Sequence, residues 1–180
     1  MGEAGRDIEA MVDGLCHGGR TLPGMDDHFA QWVARINLVC VASPEAGFPA
    51  LGHCGIRRFF VETLNRAEPE EVDILEALRD FVGRDRFAWL DEMVPVSWRL
   101  ENGAQIRLEY SSETDPAEGT AYSPVGEIRI RDLAGMRDHP FVCEGRVAVR
   151  LRLLDESGGR VGDTFDWPGY SANLRSRSSF

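Results

Sequence analysis

The sequence predicts an α+β fold, with a helical N-terminal half followed by a small, mostly antiparallel β-sheet. Three observations predict it. Apolar residues recur every three to four positions through the first half. From Val94 the period falls to two, so that Val94, Val96, Trp98 and Leu100 alternate with polar residues. An Asn102-Gly103 pair then separates this run from Ile106, Leu108 and Tyr110, which alternate in the same way. The expected organisation is a helical region over residues 1–93 and a β-rich region over 94–180.

Five helices are expected. Ile8, Met11, Val12 and Leu15 form the apolar stripe of the first, and Gly18-Gly19 stops it. The second carries Phe29, Trp32, Val33, Ile36, Val39 and Cys40, is capped by Asp26 or Asp27, and closes at Ser43-Pro44. Ile56, Phe59, Phe60 and Leu64 mark the third. A fourth opens with Pro69 in its first turn beside Glu70 and Glu71, which complement the helix dipole. It buries Val72, Leu75, Leu78 and Phe81 or Val82. Phe87 and Leu90 suggest a short fifth helix before Pro95.

In the second half, a two-residue Asn-Gly loop would pair Trp98 with Arg107 and mix apolar and charged residues on one face. A three-residue loop, Glu101-Asn102-Gly103, pairs Trp98 with Ile106 and Val96 with Leu108 instead. One face is then apolar, and Gly103 supplies the left-handed residue. The three-residue loop is the preferred reading. Residues 111–124 read as a surface loop. Ile128 and Ile130 alternate with Arg129 and Arg131 in a strand. Val147, Val149, Leu151 and Leu153 alternate with Arg146, Arg150 and Arg152 in the longest one. Asp155–Gly159 turns it towards a partner through Val161, and Arg175–Phe180 reads as an irregular tail.

Composition excludes several chemistries. The chain has 180 residues and a net charge of −10, and all twenty of its basic side chains are arginine. Without lysine there is no Schiff base, no pyridoxal-phosphate enzyme and no phosphate loop ending in Gly-Lys-Ser/Thr. No Gly-x-Ser-x-Gly, His-Glu-x-x-His or dinucleotide-binding glycine pattern occurs either. Asp155-Glu156 marks a hairpin tip rather than an acid–base pair. No catalytic residue is assigned.

Cys16-His17, His53-Cys54 and the His139/Cys143 pair offer zinc-type ligands, but adjacent ligands rarely reach one ion and no Cys-x-x-Cys spacing is present. Buried thiols and surface imidazoles are the better reading, and no metal or cofactor is expected. The first residues carry acids and no apolar run, and no stretch approaches the ~20 apolar residues that span a bilayer. A cytoplasmic protein without a membrane partner is therefore expected.

Residues 1–120 carry 11 arginines against 22 acids, whereas residues 121–180 carry 9 against 8. The acidic first part repels nucleic acid, and the near-neutral last third tolerates it. Arg129, Arg131, Arg146, Arg150 and Arg152 point away from the aliphatic faces of their strands. They are the candidate nucleic-acid-binding residues, by contact with phosphates. The same arginines also suit an ordinary solvated face, paired with Glu127, Asp132 and other nearby acids and protecting the sheet from edge pairing. Trp167 and Tyr170 suit either base stacking or a core.

Val94–Tyr110 resembles the "hydrophobic-x-x-Gly-x-x-Ile-x-Ile-x-Tyr" segment near the end of HrpB-type ATP-dependent helicases, of the DEAH class. Further matches follow in the same order. Ile128–Met136 resembles the strand leading to a "Leu-Phe-Gly-Leu" turn. Pro140, Val142 and Gly145-Arg146-Val147 are similar to "Pro-x-Val-x-Gly-Gly-Arg-Val-Pro". Leu153-Leu154, Gly159-Arg160, Thr164, Asp166 and Pro168-Gly169-Tyr170 resemble the segment that closes the domain. Upstream, Phe29, Val33, Arg35, Pro44-Glu45 and Pro49 resemble the helical lead-in, and Leu90-Asp91-Glu92 the "Leu-Asp-Glu-Leu-Ala-Pro" before the first strand.

The resemblance covers roughly residues 27–170 and implies a non-catalytic accessory C-terminal module. Its implied partners are helicase motor domains, in cis or in trans, and RNA. The motor's nucleotide-binding loop and Asp-Glu-Ala-His box do not occur in this chain, so ATP hydrolysis is not carried over to any residue of it. A stand-alone protein-interaction module with no motor partner is the alternative.

Overall fold

Helices occupy the first half because apolar residues recur there at helical spacing, and Asp26 and Asp73 cap two of the helices. The computed structural model describes residues 3–100, 102–115 and 119–177. Its contacts fall into two units, Met1–Leu90 and Asp91–Phe180.

The first unit holds α1 (Glu3–Cys16), α2 (Asp27–Ala42), α3 (His53–Leu64) and α4 (Ile74–Val82), and α5 (Arg84–Met93) begins in it. Asp26 caps α2 by accepting the Phe29 N–H at 3.1 Å. Gly18, at φ +73°, ends the turn after α1. An aromatic cluster fills the interior. Phe59 meets Phe29, Phe60 and Phe81 with ring centroids 6.2, 5.3 and 5.5 Å away. Trp32 stacks on Phe87 at 4.4 Å, and the buried Arg35 lays its guanidinium 4.4 Å from the Trp32 centroid.

The fourth helix starts later than the sequence suggests. Pro69–Glu71 forms a separate 3-10 turn, Val72 is extended, and Asp73 caps α4 by accepting the Glu76 N–H at 3.0 Å. A cap four residues nearer the apolar stripe wins over proline's preference for a first turn. The buried face is accordingly Ile74, Leu78 and Val82, with Leu75 half-buried.

The second unit is built on strands β1 (Ser97–Arg99), β2 (Gln105–Asp115), β3 (Gly119–Arg129), β4 (Phe141–Val142), β5 (Val147–Ala148), β6 (Arg150–Leu154) and β7 (Arg160–Thr164), followed by α6 (Trp167–Arg177). The main sheet has the order β1-β2-β3-β6-β7. It is antiparallel except for the β3–β6 pair, and β4 and β5 form a separate two-stranded sheet.

The first hairpin has the three-residue register. Trp98 pairs with Ile106, the Leu100 N–H donates to Ala104 O at 2.8 Å, and Gly103 takes φ +85°. Glu101 lies outside the described residues.

Four expectations change. Residues 111–124 do not form a loop: β2 and β3 pair continuously from Leu108–Gly126 to Asp115–Gly119, and residues 116–118 lie outside the description. The Ser, Thr and Tyr residues of the paired segments follow cross-strand pairing because they carry no strong local preference of their own. The Ile128–Arg131 strand ends at Arg129, where a 3-10 turn, Ile130–Leu133, begins the crossover to β6.

The run through 146–153 is two strands. The buried Val149 donates its N–H to Pro140 O and divides β5 from β6. Finally, the first half of the tail, residues 175–177, is helical, as the end of α6. Asp166 accepts the Gly169 N–H at 3.1 Å, with Pro168 in the first turn of α6. Residues 178–180 of the expected tail lie outside the described residues.

One face of the sheet is apolar: Ile106, Leu108, Tyr110, Ile128, Leu151 and Leu153 are all buried there. β3 has room for only a glycine opposite Leu108, because a Cβ on Gly126 would lie 2.4 Å from Ile106 Cγ2.

Candidate nucleic-acid interface

Strand pairing decides which arginines share a surface. Glu127, Arg152 and Asp163 align across β3, β6 and β7, and Val125 aligns with Arg150. These residues have the opposite parity to buried Ile128, Leu151 and Leu153, so they form the outer face. Arg107 and Glu109 on β2, Arg99 on β1 and Arg129 on β3 have the same parity, and all four are exposed. Among the residues whose side chains are described, five arginines (99, 107, 129, 150 and 152) share this face with three carboxylates, Glu109, Glu127 and Asp163.

Much of this charge is locally held. Arg152 pairs with Glu127 at 2.8 Å, which raises its already high pKa. Arg160 donates twice to Asp163, at 3.0 and 2.6 Å. Arg150 lies with its guanidinium carbon 5.4 Å from the Phe165 ring centroid. Surface pairs of this kind are each worth at most about 1 kcal/mol and are screened by salt.

The five arginines singled out in the sequence are divided by the fold. Arg129, Arg150 and Arg152 share the outer face. Arg131 leaves the strand, sits in the 3-10 turn and pairs with Glu156 at 2.7 Å and Asp132 at 3.4 Å. Arg146 lies in the turn between β4 and β5, outside the main sheet. Arg99, Arg107 and Phe165 were missed because their place on this face depends on the hairpin register and on the parallel β3–β6 pairing. Their own alternation gives no sign of the latter.

Other reactive side chains are structurally engaged. Trp167 is buried and stacks on Tyr170 with centroids 6.2 Å apart, so it belongs to the core. His139 accepts the Trp167 N–H on Nδ1 at 3.1 Å and donates from Nε2 to Val149 O at 2.7 Å. Burial pushes its pKa below the ordinary imidazole value. Burial likewise pushes the Cys143 thiol up to about 11, so it stays protonated at neutral pH and is no nucleophile. His17 and His53 come within 6.1 Å of each other, bringing the two Cys-His pairs to one corner of the helical unit. Among the described residues, no group of three or more His, Cys, Asp or Glu is placed to hold a metal ion. Among the same residues, no helix is long and apolar enough to cross a membrane.

Residues 56–173 match a family model described as "HrpB_C: ATP-dependent helicase C-terminal". The chain belongs to this HrpB C-terminal family. The matched range includes the end of the helical unit and every strand of the outer face. The chain is 22% identical over 156 residues to the ATP-dependent RNA helicase HrpB of Escherichia coli strain K12, covering 81% of this chain and 18% of that protein.

Two crystal structures of HrpB from E. coli share the fold. One, described as a DExH-box NTPase, has a TM-score of 0.73 at 18% identity and covers 99% of this chain and 22% of that one. The other, described as a DEAH/RHA helicase, has a TM-score of 0.70 at 19% identity, with the same shares covered. This HrpB-type chain therefore spans about a fifth of the length of the relatives it matches.

Proposed function

We propose that this chain is a non-catalytic accessory module of an HrpB-like ATP-dependent helicase, which docks on the motor and contacts RNA through the outer face of its sheet. The observation that carries the reading is the family match over residues 56–173, joined to a chain that has no lysine for a phosphate loop. The motor supplies ATP chemistry, and this module supplies shape and guanidinium groups. Arginine suits that role because its planar fork meets phosphate oxygens two at a time.

The RNA contact is tested by fluorescence anisotropy of a labelled single strand at low salt. Replacing Arg150 and Arg152 with glutamate removes two cations and adds two anions on the face. Affinity is expected to fall by roughly tenfold or more, and the salt dependence of log K to flatten by about two. Equal affinity and an unchanged salt slope would remove RNA from the proposal.

A further inference from the structure

We infer that Phe165 and Arg150 form a stacking platform for a base of single-stranded RNA on the outer face of the sheet. This rests on the RNA-contact reading above and deepens it, because it names a side chain and the form of nucleic acid it takes. The Leu151–Thr164 pairing places Phe165, the next residue after β7, beside Arg150 on β6. Phe165 is 52% exposed and follows Val161, itself 48% exposed and two residues from Asp163 along the same strand. A half-exposed ring with a guanidinium at its face is open to a further stacking partner.

Three features favour RNA as that partner. The Arg150 guanidinium, 5.4 Å from the ring centroid, adds a cation that reinforces base stacking and reaches for the adjoining phosphate. Arg152, paired with Glu127, lies two residues further along β6, and Arg129 lies across on β3. Residues two apart on a strand are ~6.6 Å apart, so successive guanidinium groups can track a backbone. The cores of protein interfaces are depleted of charge, whereas this ring is surrounded by it. A single strand is required because bases in a duplex are already stacked and cannot reach the ring.

The test uses the full chain, a labelled twelve-nucleotide uridine strand and a duplex of equal length, with anisotropy at low salt. Single-strand preference is expected for the wild type. F165L is expected to weaken single-strand binding by roughly five- to hundredfold, with little effect on the duplex. F165W is expected to restore it, which a purely structural role for the ring would not do. Circular dichroism establishes that both variants are folded.

If R150E/R152E loses affinity while F165L matches the wild type, the stacking inference fails and the arginine contact stands. If the wild type binds no single strand, both fail. If F165L leaves RNA binding intact but weakens binding to helicase motor domains, the ring is a protein contact and the inference is overturned.

Discussion

Gly126 sits on β3 where the sheet's apolar face is tightest, and its identity follows from that closeness. A methyl group there would lie 2.4 Å from Ile106 Cγ2 and 3.2 Å from Leu108 Cδ2, well inside ordinary contact. G126A should lower the unfolding free energy by about 1–3 kcal/mol, because neighbouring side chains must leave their rotamers. Urea denaturation measures it, and an unchanged midpoint would show that the sheet yields at this point. Nothing local marks Gly126 as special, since the constraint comes from residues about twenty positions away. Gly103 and Asp26 are the opposite case. A left-handed turn residue after Asn and a carboxylate three before the first apolar residue are both readable in the chain, because the interactions they serve are local.

At the scale of elements, legibility follows the range of the forces. Helices α1, α2, α3 and α5 and the β1–β2 hairpin were legible, since period and caps act within a few residues. α6 was not, because its Asp-Trp-Pro start reads as an aromatic motif until the carboxylate is seen on the Gly169 N–H. The parallel β3–β6 pair was hidden as well, as no local signal announces a crossover.

His139 joins such distant elements. It accepts from the first residue of α6 and donates to Val149, between β5 and β6. Accepting on Nδ1 requires the neutral ring, and burial lowers its pKa from 6.5. The unfolded chain then binds the proton more readily than the folded one. The stabilisation is fully present above pH 6.5 and lost as the pH falls towards the folded value. The urea midpoint should therefore be lower at pH 5.5 than at pH 7.5, and H139Q should flatten this difference. An equal drop in H139Q would assign the acid sensitivity to other groups.

For the whole molecule, the distribution of charge matters more than its sum. Among the residues whose side chains are described, a chain of net charge −10 gathers five arginines and three carboxylates on one sheet face. The sequence placed arginine-rich alternation in the right third of the chain. It could not show that Arg131 and Arg146 leave the face or that Arg99, Arg107 and Phe165 join it, because membership is set by pairing between distant strands.

The family relation was legible from the order of short motifs, each too common to decide anything alone. The docking on a motor proposed above is measured most directly by titration calorimetry. The chain would be titrated into the motor portion of an HrpB-type helicase from which the equivalent C-terminal domain has been removed. A saturable one-to-one interaction with a micromolar or tighter Kd is the predicted result. No heat and no co-elution, with both proteins folded and concentrated well above that range, would contradict it.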